Sequence, residues 1–493
     1  MNNILGISAG FHDAAATVIS PTGEILFAGH SERYSKIKND AHFCQALMDD
    51  VLTYAPDQVA YYERPWLKQA RQWYSGQGIE WDKVTAKQIV LSQCGGWVNT
   101  KDIKTFSHHR CHAAAGFQTS PFDHATVVVI DAVGEWDTAS IWAAEYDSRG
   151  RARYRQLWRQ RYPHSIGLFY SAVTQRIGLH PLDEEYITMG MAAWGRPAYQ
   201  ECMENLVIED AENMRFRHNL HTGLDPDWMS GLSNEDIAAT AQAVTERLIG
   251  HVMSRARSFE WSENLVYMGG VALNCLANRN LGKYFDRIWI MPNPGDAGSS
   301  LGAAALTLGT KLHWRNAYLG HKIDGAYPVQ SLITELLNNK IVGVASGRAE
   351  FGPRALGNRS LLADPRGPEI KDQVNEIKRR QKFRPFAPVI LEEHADQYFD
   401  MPGGWHNSRY MQSVARCRSS DLFPAIVHVD GTSRVQTVPQ DGSGIRQLLE
   451  AWYNRTGCPM LLNTSLNIRG KPMVNDRNDA NQFEKLYGVK VCS

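Results

Sequence analysis

The stretch ATVVVIDAVGEWDTASIWAAEYDSRGRARYRQLW, residues 125–158, decides the fold of this chain. Runs of apolar and β-branched residues alternate in it with the turn residues Gly, Asp and Ser, which predicts three consecutive strands joined by tight connections. We expect these strands at 125–131, 138–146 and 152–158, with a turn at 147–150.

The first thirty residues repeat this pattern, with expected strands at 3–8, 14–19 and 25–28. A three-stranded meander that occurs twice, each copy followed by helical sequence, predicts a duplicated, two-lobed α/β domain. A ligand cleft is expected between the two copies. This is the architecture of actin-like (ASKHA) proteins, including the sugar kinases.

The sequence changes character after about residue 323. A predicted helix at 329–337 leads into the apolar run 341–344 and then into a segment rich in arginine, glycine and proline. The chain has 493 residues, which exceeds what one hydrophobic core normally supports. We therefore expect an actin-like N-terminal domain at 1–322 and a smaller α/β domain at 323–493.

The composition limits the partners. Lys+Arg and Asp+Glu both total 52, so the formal net charge is zero, which disfavours a nucleic-acid polymer or an anionic membrane as partner. Neither a signal peptide nor an apolar stretch of about eighteen residues is present. The 8 cysteines include no Cys-x-x-Cys pair, which favours reduced thiols. We expect a cytoplasmic protein that acts on small molecules.

A pair of histidines predicts a metal site. His108 and His112 stand four residues apart, so that on a helix the two imidazoles would share one face and could bind one divalent metal. Asp131 ends the apolar strand that follows and is a candidate third ligand. The alternative is that the histidines are ordinary solvated or core side chains, as such pairs often are.

Two further junctions place glycines before a helix. Gly269 and Gly270 follow an apolar strand, and such a turn lets the backbone approach a phosphate or nucleoside, although many tight turns also use two glycines. Asp296 precedes a helix of small residues. It is either a fourth metal ligand or an N-cap residue.

Three arginines of the second domain, Arg354, Arg384 and Arg434, stand in apolar or proline-rich sequence. An unpaired charge in such surroundings would be costly. Because a guanidinium binds two oxygens of a phosphate or carboxylate at once, the three arginines predict a pocket for a small phosphorylated substrate. Surface salt bridging is the alternative use, and it suits Arg379, Arg380 and Arg455.

These residues fall within phrases that resemble one family, the O-carbamoyltransferases of the nodulation-protein and aminoglycoside-antibiotic type. The string EFGPRALGNRS at 350–360 is long and specific, and the phrases occur in family order over nearly the whole chain. They are 6–15, 108–112, 190–195, 269–274, 295–298, 350–360, 384–388 and 461–465.

The resemblance implies an N-terminal domain similar to the metal- and nucleotide-binding domain of tRNA threonylcarbamoyl transferases. It implies a C-terminal domain similar to threonylcarbamoyl-adenylate synthase. The implied reaction moves the carbamoyl group of carbamoyl phosphate, via carbamoyl adenylate, to a hydroxyl of a small molecule. The implied cofactors are ATP with Mg²⁺ and one divalent metal, iron in the family, although manganese or zinc would equally suit His and carboxylate ligands.

Matching positions assign roles to residues. His12 could deprotonate the acceptor hydroxyl, with a structural hydrogen bond as the alternative. Arg354 and Lys378 are assigned to catalysis. The matched positions are His108, His112, Asp131 and Asp296 for the metal; Gly269, Gly270 and Asn274 for the nucleotide; and Arg354, Lys378, Arg384, Arg434 and Asn463 for carbamoyl phosphate.

Two other functions stay open. A duplicated meander also serves small-molecule kinases and phosphohydrolases, and a nucleotide-binding module that has lost catalysis is a further alternative.

The acceptor is a sugar, a natural product or a hydroxymethylated nucleotide, and a homodimer is one assembly open to the chain. Four tryptophans either pack in the core or stack on such an acceptor. They are Trp66, Trp73, Trp81 and Trp97.

Overall fold

The computed structural model describes residues 2–210, 212–381, 383–467 and 470–493. The chain divides into two compact units. The first comprises the described residues up to Ser35 together with Asn39–Arg315, and the second comprises Lys36–Lys38 together with Asn316–Ser493. The functional domains expected at 1–322 and 323–493 stay a prediction.

The first unit contains both copies of the meander. Its strands are β1 (Asn3–Ser8), β2 (Ala15–Ile19), β3 (Ile25–His30), β4 (Pro56–Tyr61), β5 (Ile103–Thr105), β6 (His124–Ile130), β7 (Asp137–Tyr146), β8 (Ala152–Arg161), β9 (Ile208–Asp210), β10 (Arg215–Phe216), β11 (Asn264–Met268) and β12 (Arg287–Trp289). Its helices are α1 (Ser31–Ser35), α2 (Gln45–Leu52), α3 (Pro65–Tyr74), α4 (Ala86–Cys94), α5 (His108–Thr119), α6 (Ile166–Arg176), α7 (Glu185–Met191), α8 (Gln200–Val207), α9 (Asn234–Ser258), α10 (Cys275–Asn278) and α11 (Ser299–Leu308).

Two five-stranded sheets of the first unit share one topology. Their strand orders are β3-β2-β1-β4-β5 and β8-β7-β6-β11-β12. In each sheet the first three strands in sequence form an antiparallel meander. The fourth strand pairs parallel with the first, and the fifth pairs parallel with the fourth. This repeated order confirms the duplicated, actin-like α/β fold that the sequence predicts.

Strand β8 is longer than the sequence predicts. It reaches Arg161, and residues 159–161 pair with β7. The added residues are arginine and glutamine on an edge strand, so they provide no apolar alternation from which a strand could be recognised.

Close packing fixes α5 and α11 at the centre of the unit. Helix α5 is buried at every position except Arg110. A Cβ at Gly302 of α11 would lie 1.9 Å from the carbonyl oxygen of Cys111, and one at Gly6 of β1 would lie 1.9 Å from that of Ser300. Because Gly302 and Cys111 are both in the first turn of their helices, the two helix N-termini lie side by side.

The second unit is built on a six-stranded mixed sheet of order β21-β17-β22-β16-β14-β23, and it confirms the smaller α/β domain. Lys382, in the basic stretch 378–384, lies outside the described residues. The strands are β13 (Tyr318–Ile323), β14 (Ile341–Ala345), β15 (Gly347–Glu350), β16 (Arg359–Ala363), β17 (Ala387–Leu391), β18 (Phe399–Asp400), β19 (Ala415–Cys417), β20 (Thr432–Ser433), β21 (Gln436–Val438), β22 (Met460–Ser465) and β23 (Val491–Cys492); the helices are α12 (Val329–Asn339), α13 (Glu369–Lys378), α14 (Ala395–Tyr398), α15 (Gly444–Thr456) and α16 (Arg477–Tyr487).

Among the described residues, no helix combines the length and the hydropathy that crossing a membrane requires.

Candidate functional site

The four residues predicted to bind a metal lie together in the first unit, and we call them the metal cluster. His108 and His112 occupy the first turns of α5, and their Nε2 atoms are 3.1 Å apart. Asp131 follows β6, where the backbone N–H of Ala132 donates to its Oδ1 at 2.8 Å. Asp296 begins the turn that leads into α11. Four ligand atoms, one per residue, lie within 4.8 Å of one another.

The spacing of these atoms fits one metal ion. Asp131 Oδ2 lies 3.3 Å from His108 Nε2 and 3.2 Å from His112 Nε2, and Asp296 Oδ1 lies 3.3 and 3.4 Å from the same nitrogens. Donors about 2.1 Å from a metal are separated by about 3.0 Å in an octahedral arrangement and about 3.4 Å in a tetrahedral one. Two imidazoles and two carboxylates suit Fe²⁺, Mn²⁺ and Zn²⁺ alike.

The cluster also favours positive charge. Burial by itself would lower the pKa of His108, but the charge of Asp296 and hydrogen bonds to carboxylates raise this pKa well above its ordinary value. Burial would raise the pKa of Asp296, but the two histidines hold it well below its ordinary value. A cation is therefore stabilised at this position.

A further carboxylate, Glu63, contacts the cluster. Glu63 follows β4, is fully buried, and places Oε2 3.4 Å from His108 Nδ1. Lys68 on α3 lies 3.2 Å from the other carboxylate oxygen. Burial would raise the pKa of Glu63, but Lys68 and His108 hold it below its ordinary value. Sequence reasoning missed Glu63, although it follows an apolar strand as Asp131 does.

The turn at 10–13 brings His12 near the cluster. His12 Nδ1 lies 3.5 Å from Asp13 Oδ2, and the imidazole is 38% exposed. Burial raises the pKa of Asp13 to about 6; His12 opposes this rise, and the negative charges of Glu32 and Asp296 add to it. Asp13 is therefore within electrostatic reach of a cluster carboxylate. It is a second residue that sequence reasoning missed.

The Gly269-Gly270 turn supports Asp131. Gly269 has φ of 91°, and a Cβ there would lie 2.1 Å from the carbonyl oxygen that precedes Asp131. The N–H of Gly270 donates to Asp131 Oδ1 at 3.3 Å. Asn274 and Gln242 exchange hydrogen bonds in both directions at 3.0 Å. These residues thus have roles within the protein, and their contact with a nucleotide stays a prediction.

The four tryptophans are on the surface. Trp66, Trp73, Trp81 and Trp97 are 58%, 67%, 74% and 63% exposed, so packing in the core does not explain them. Trp66 and Trp73 lie on α3, which begins two residues after Glu63. This aromatic surface therefore adjoins the segment that contacts His108.

In the second unit, the string 350–360 folds around Glu350. Its Oε1 accepts hydrogen bonds from three backbone N–H groups of that string at 2.8, 2.9 and 3.2 Å. Arg359 is fully buried and donates to several backbone carbonyls, including that of Asn475. These contacts hold in place the loop that contains Arg354.

Lys378, at the end of α13, is a buried cation with no carboxylate within 4 Å in the described ranges. It is 6% exposed. Its Nζ donates to the backbone carbonyl and hydroxyl of Ser465 and to the side-chain carbonyl of Asn467. Burial and the positive charges of Arg380 and Arg384 lower the pKa of Lys378 well below its ordinary value. A buried ammonium with positive neighbours predicts an anionic ligand.

Asn463 on β22 has one side of its amide in use and one side unpaired. Its Nδ2 donates to Ala355 O at 3.0 Å and to Gln436 Oε1 at 2.7 Å. Its Oδ1 is buried and has no hydrogen-bond partner among the residues described. Arg434, two residues before Gln436, likewise has a buried Nε without a partner there. An unpaired acceptor and donor indicate a ligand with N–H groups and oxygens.

The other four residues predicted for carbamoyl phosphate lie around Asn463, and we call the five together the anion pocket. The side-chain amide of Asn463 donates to Ala355 and Gln436. Arg354 directly precedes Ala355, and Arg434 is two residues before Gln436. Lys378 bonds the residue two positions beyond Asn463. Arg384 is close enough to Lys378 to lower its pKa. Their role in binding carbamoyl phosphate stays a prediction.

Family models match most of the chain. The model described as carbamoyltransferase N-terminus matches residues 79–305, and the model described as carbamoyltransferase C-terminus matches residues 333–491. The chain therefore belongs to the carbamoyltransferase family. This confirms the resemblance and the class of enzyme, a carbamoyltransferase, that the sequence predicts.

Curated relatives extend over nearly the whole chain. An uncharacterized protein of Synechocystis sp. is 32% identical over 97% of this chain and 94% of its own length. Nodulation protein NolNO of Sinorhizobium fredii is 30% identical over 95% of this chain and 76% of its own length. Among solved structures, the activator of the 2-hydroxyisocaproyl-CoA dehydratase from Clostridium difficile covers 62% of this chain and 94% of its own, with 13% identity and a TM-score of 0.35.

Proposed function

We propose that the chain is an ATP-dependent O-carbamoyltransferase that takes its carbamoyl group from carbamoyl phosphate. It forms carbamoyl adenylate and passes the carbamoyl group to a hydroxyl of a small molecule. The observation that supports this most strongly is that a buried ammonium, Lys378, bonds Ser465 two residues after Asn463, whose buried Oδ1 has no partner among the residues described. One chain thus combines a pocket suited to a small dianion with a separate cluster suited to a divalent cation.

The anion pocket matches both ends of carbamoyl phosphate. Arg384 and Arg434 would bind the phosphate oxygens through charge-assisted hydrogen bonds, and Lys378, whose three N–H groups donate to Ser465 and Asn467, would add its positive charge. The carbamoyl NH₂ would donate to Asn463 Oδ1, which needs a donor. A simple phosphate would leave that amide oxygen unpaired, so the pocket should select carbamoyl phosphate over inorganic phosphate.

Adenylate formation is assigned to the second unit. Hydrolysis of carbamoyl phosphate releases inorganic phosphate and leaves carbamate. A carbamate oxygen then attacks the α-phosphorus of ATP, the bond to the β-phosphate breaks, and pyrophosphate leaves. Arg354 and Lys378 would offset the negative charge that develops on the departing phosphate.

Transfer is assigned to the first unit. The acceptor oxygen attacks the carbamoyl carbon, the bond to AMP breaks, and AMP leaves. His12 would take the hydroxyl proton, since imidazole is a base near neutral pH, and Asp13 would orient it through Nδ1. A divalent metal, which we propose is iron, would supply positive charge for the phosphate oxygens of the adenylate.

The proposed reactants support a location for the enzyme. ATP, Mg²⁺ and carbamoyl phosphate are cytoplasmic, so we propose a cytoplasmic location. The exposed aromatic surface that contains Trp66 and Trp73 supports an acceptor with a ring that can stack on an indole, such as a sugar, a natural product or a hydroxymethylated nucleotide.

The reaction is tested with purified protein, ATP, Mg²⁺, carbamoyl phosphate and a panel of such hydroxylated compounds. Mass spectrometry should detect an acceptor that gains one carbamoyl group, together with equal amounts of AMP and pyrophosphate. Formation of ADP and a phosphorylated acceptor would show a kinase and contradict the proposal. Lys371→Met is a matched control for Lys378→Met, because Lys371 is on the same helix and donates to a backbone carbonyl at 3.5 Å.

A further inference from the structure

Glu63 is a fully buried carboxylate that the proposed reaction does not use. It stands just beyond the end of β4, between that strand and α3, and its side chain is 0% exposed. Burying a carboxylate is costly unless it is paired and hydrogen-bonded. The partners of Glu63 therefore indicate what the residue does.

One carboxylate oxygen of Glu63 faces a cluster histidine and the other faces a lysine. Oε2 lies 3.4 Å from Nδ1 of His108, and Oε1 lies 3.2 Å from Nζ of Lys68. The same Lys68 ammonium lies 3.6 Å from the centroid of the Phe11 ring, and Phe11 precedes His12. The Glu63–Lys68 pair thus connects the metal cluster with the turn that contains the proposed base.

The contact determines which nitrogen of His108 can bind a metal. A neutral imidazole has one N–H and one lone pair, and the group that accepts from the N–H selects the tautomer. With the proton on Nδ1 facing Glu63, the lone pair is on Nε2, which faces Asp131 and Asp296 at 3.3 Å. Metal-binding histidines commonly donate their second nitrogen to a carboxylate in this way.

The two histidines of the cluster differ in this respect. His112 Nδ1 is buried and has no hydrogen-bond partner in the part of the chain that the structure describes. On the side of Nδ1, His112 therefore has no polar partner among those residues, whereas His108 faces a charged acceptor there. Loss of that acceptor should affect the cluster through one ligand only.

We propose that Glu63 is a positioning residue that holds His108 in the Nδ1–H tautomer, and that Lys68 keeps Glu63 in place. This inference deepens the proposed function and rests on its metal cluster. Glu63 is not one of the four candidate ligands, and its carboxylate faces His108 and Lys68. Its effect on catalysis passes through the affinity and geometry of the site.

The test is metal binding by the metal-free, full-length protein, with Co²⁺ as the probe. Competition with a chromophoric chelator gives the dissociation constant, and the visible absorption of bound Co²⁺ reports the ligand geometry. Glu63→Gln keeps the size of the side chain and removes its charge, and we expect affinity about 10-fold weaker. Glu63→Ala should weaken binding by about 10–100-fold and change the Co²⁺ spectrum. Lys68→Met should weaken it less, in the same direction.

Glu24→Gln is the matched control. Glu24 also contacts a histidine nitrogen, His313 Nδ1 at 2.9 Å, but His313 is outside the metal cluster. This variant should bind Co²⁺ as the native protein does. Thermal melting of each metal-free variant separates a loss of affinity from a loss of folding, and Glu63→Gln should melt close to the native protein.

The outcomes distinguish the inference from the proposal beneath it. Native affinity and an unchanged Co²⁺ spectrum in Glu63→Gln and Glu63→Ala would overturn the role of Glu63 and leave the metal cluster intact. Failure of the native protein itself to bind Co²⁺, Fe²⁺, Mn²⁺ or Zn²⁺ would overturn the metal cluster and this inference with it. If Glu63→Gln and Glu63→Ala both bind Co²⁺ more weakly and are both unfolded to the same extent, the conservative substitution has not preserved the fold. That outcome would assign Glu63 to folding alone.

Discussion

The metal cluster and the anion pocket have opposite electrostatic needs. In the cluster, the carboxylates of Asp131 and Asp296 surround two imidazoles and raise the pKa of His108. In the pocket, the ammonium of Lys378 is buried near Arg380 and Arg384, and its pKa is lowered. The first site favours a cation and the second favours an anion.

Under the proposed function, this difference explains why one chain needs both sites. A carbamoyl donor arrives as an anion, so the pocket must supply positive charge. Transfer releases AMP, whose phosphate is also an anion, yet the carboxylates of the cluster that we assign to this step favour a cation. The cluster can therefore bind such a phosphate only with a metal between them, whereas the pocket needs no metal. Variants that alter one charge should separate the two sites.

The largest effect is expected from breaking the metal cluster. Asp296→Asn removes one negative charge and one ligand, so bound metal should be lost and transfer to the acceptor should fall about 1,000-fold or more. Metal content and carbamoyl transfer are the measurements. Asp123→Asn, an exposed residue paired with Lys311, is the control. Full activity of metal-free Asp296→Asn would show that the cluster has no part in transfer.

The next largest effect is expected in the anion pocket. Lys378→Met removes the buried ammonium, so carbamoyl-phosphate-dependent exchange of pyrophosphate into ATP should fall by about 10²–10³. Metal content should stay normal, and Lys371→Met should exchange as the native protein does. Equal exchange rates in the two lysine variants would exclude Lys378 from adenylate formation.

A smaller effect is expected from the proposed base. His12→Asn should slow transfer to the acceptor by about 100-fold and leave pyrophosphate exchange unchanged, because only the transfer step needs a proton acceptor. Rapid-quench measurement of AMP release checks this. His124→Asn, at the exposed start of β6, serves as control. Unaltered transfer in His12→Asn would leave His12 with a structural role.

The smallest effect concerns stability beside the cluster. Glu135 is 9% exposed, accepts the N–H of Arg64 at 2.7 Å, and burial raises its pKa to about 7. A raised folded-state pKa gives stability that is present below pH 4.5 and is lost as pH rises through 7. Between pH 5 and pH 8, metal-free native protein should lose about 2 kcal/mol more unfolding free energy than Glu135→Gln. Urea titrations measure both; parallel pH profiles would contradict the assignment.

The fold was largely predictable because the meander occurs twice. Each copy has apolar strands interrupted by glycine and aspartate turns, so periodicity predicts the first three strands of each sheet. Strand β8 shows the limit: its last residues are polar, and only pairing with β7 extends the strand to Arg161. Pairing with β7 therefore sets the end of β8, which the local sequence pattern does not reveal.

Site residues were predictable where their spacing in the sequence indicates a shared site. They were not predictable where the contact forms between segments that are distant in the sequence. The interval between His108 and His112 is visible in the sequence, and Asp131 ends an apolar run. Glu63 also follows a strand, but its contact with His108, 45 residues away in the sequence, forms only in the folded chain, and Asp13 has no such signal. Asn274 shows the opposite case. It lies in a phrase that resembles the family, but its side-chain amide is hydrogen-bonded to Gln242.

The central claim is that the two sites perform different half-reactions. Measuring both half-reactions in one variant of each site tests it most directly. Pyrophosphate exchange and carbamoyl transfer are measured in parallel for His108→Ala and Lys378→Met, with carbamoyl adenylate supplied in the transfer assay. The account predicts that His108→Ala retains exchange and loses transfer, while Lys378→Met loses exchange and retains transfer from the supplied adenylate. Loss of both activities in each folded variant would contradict it.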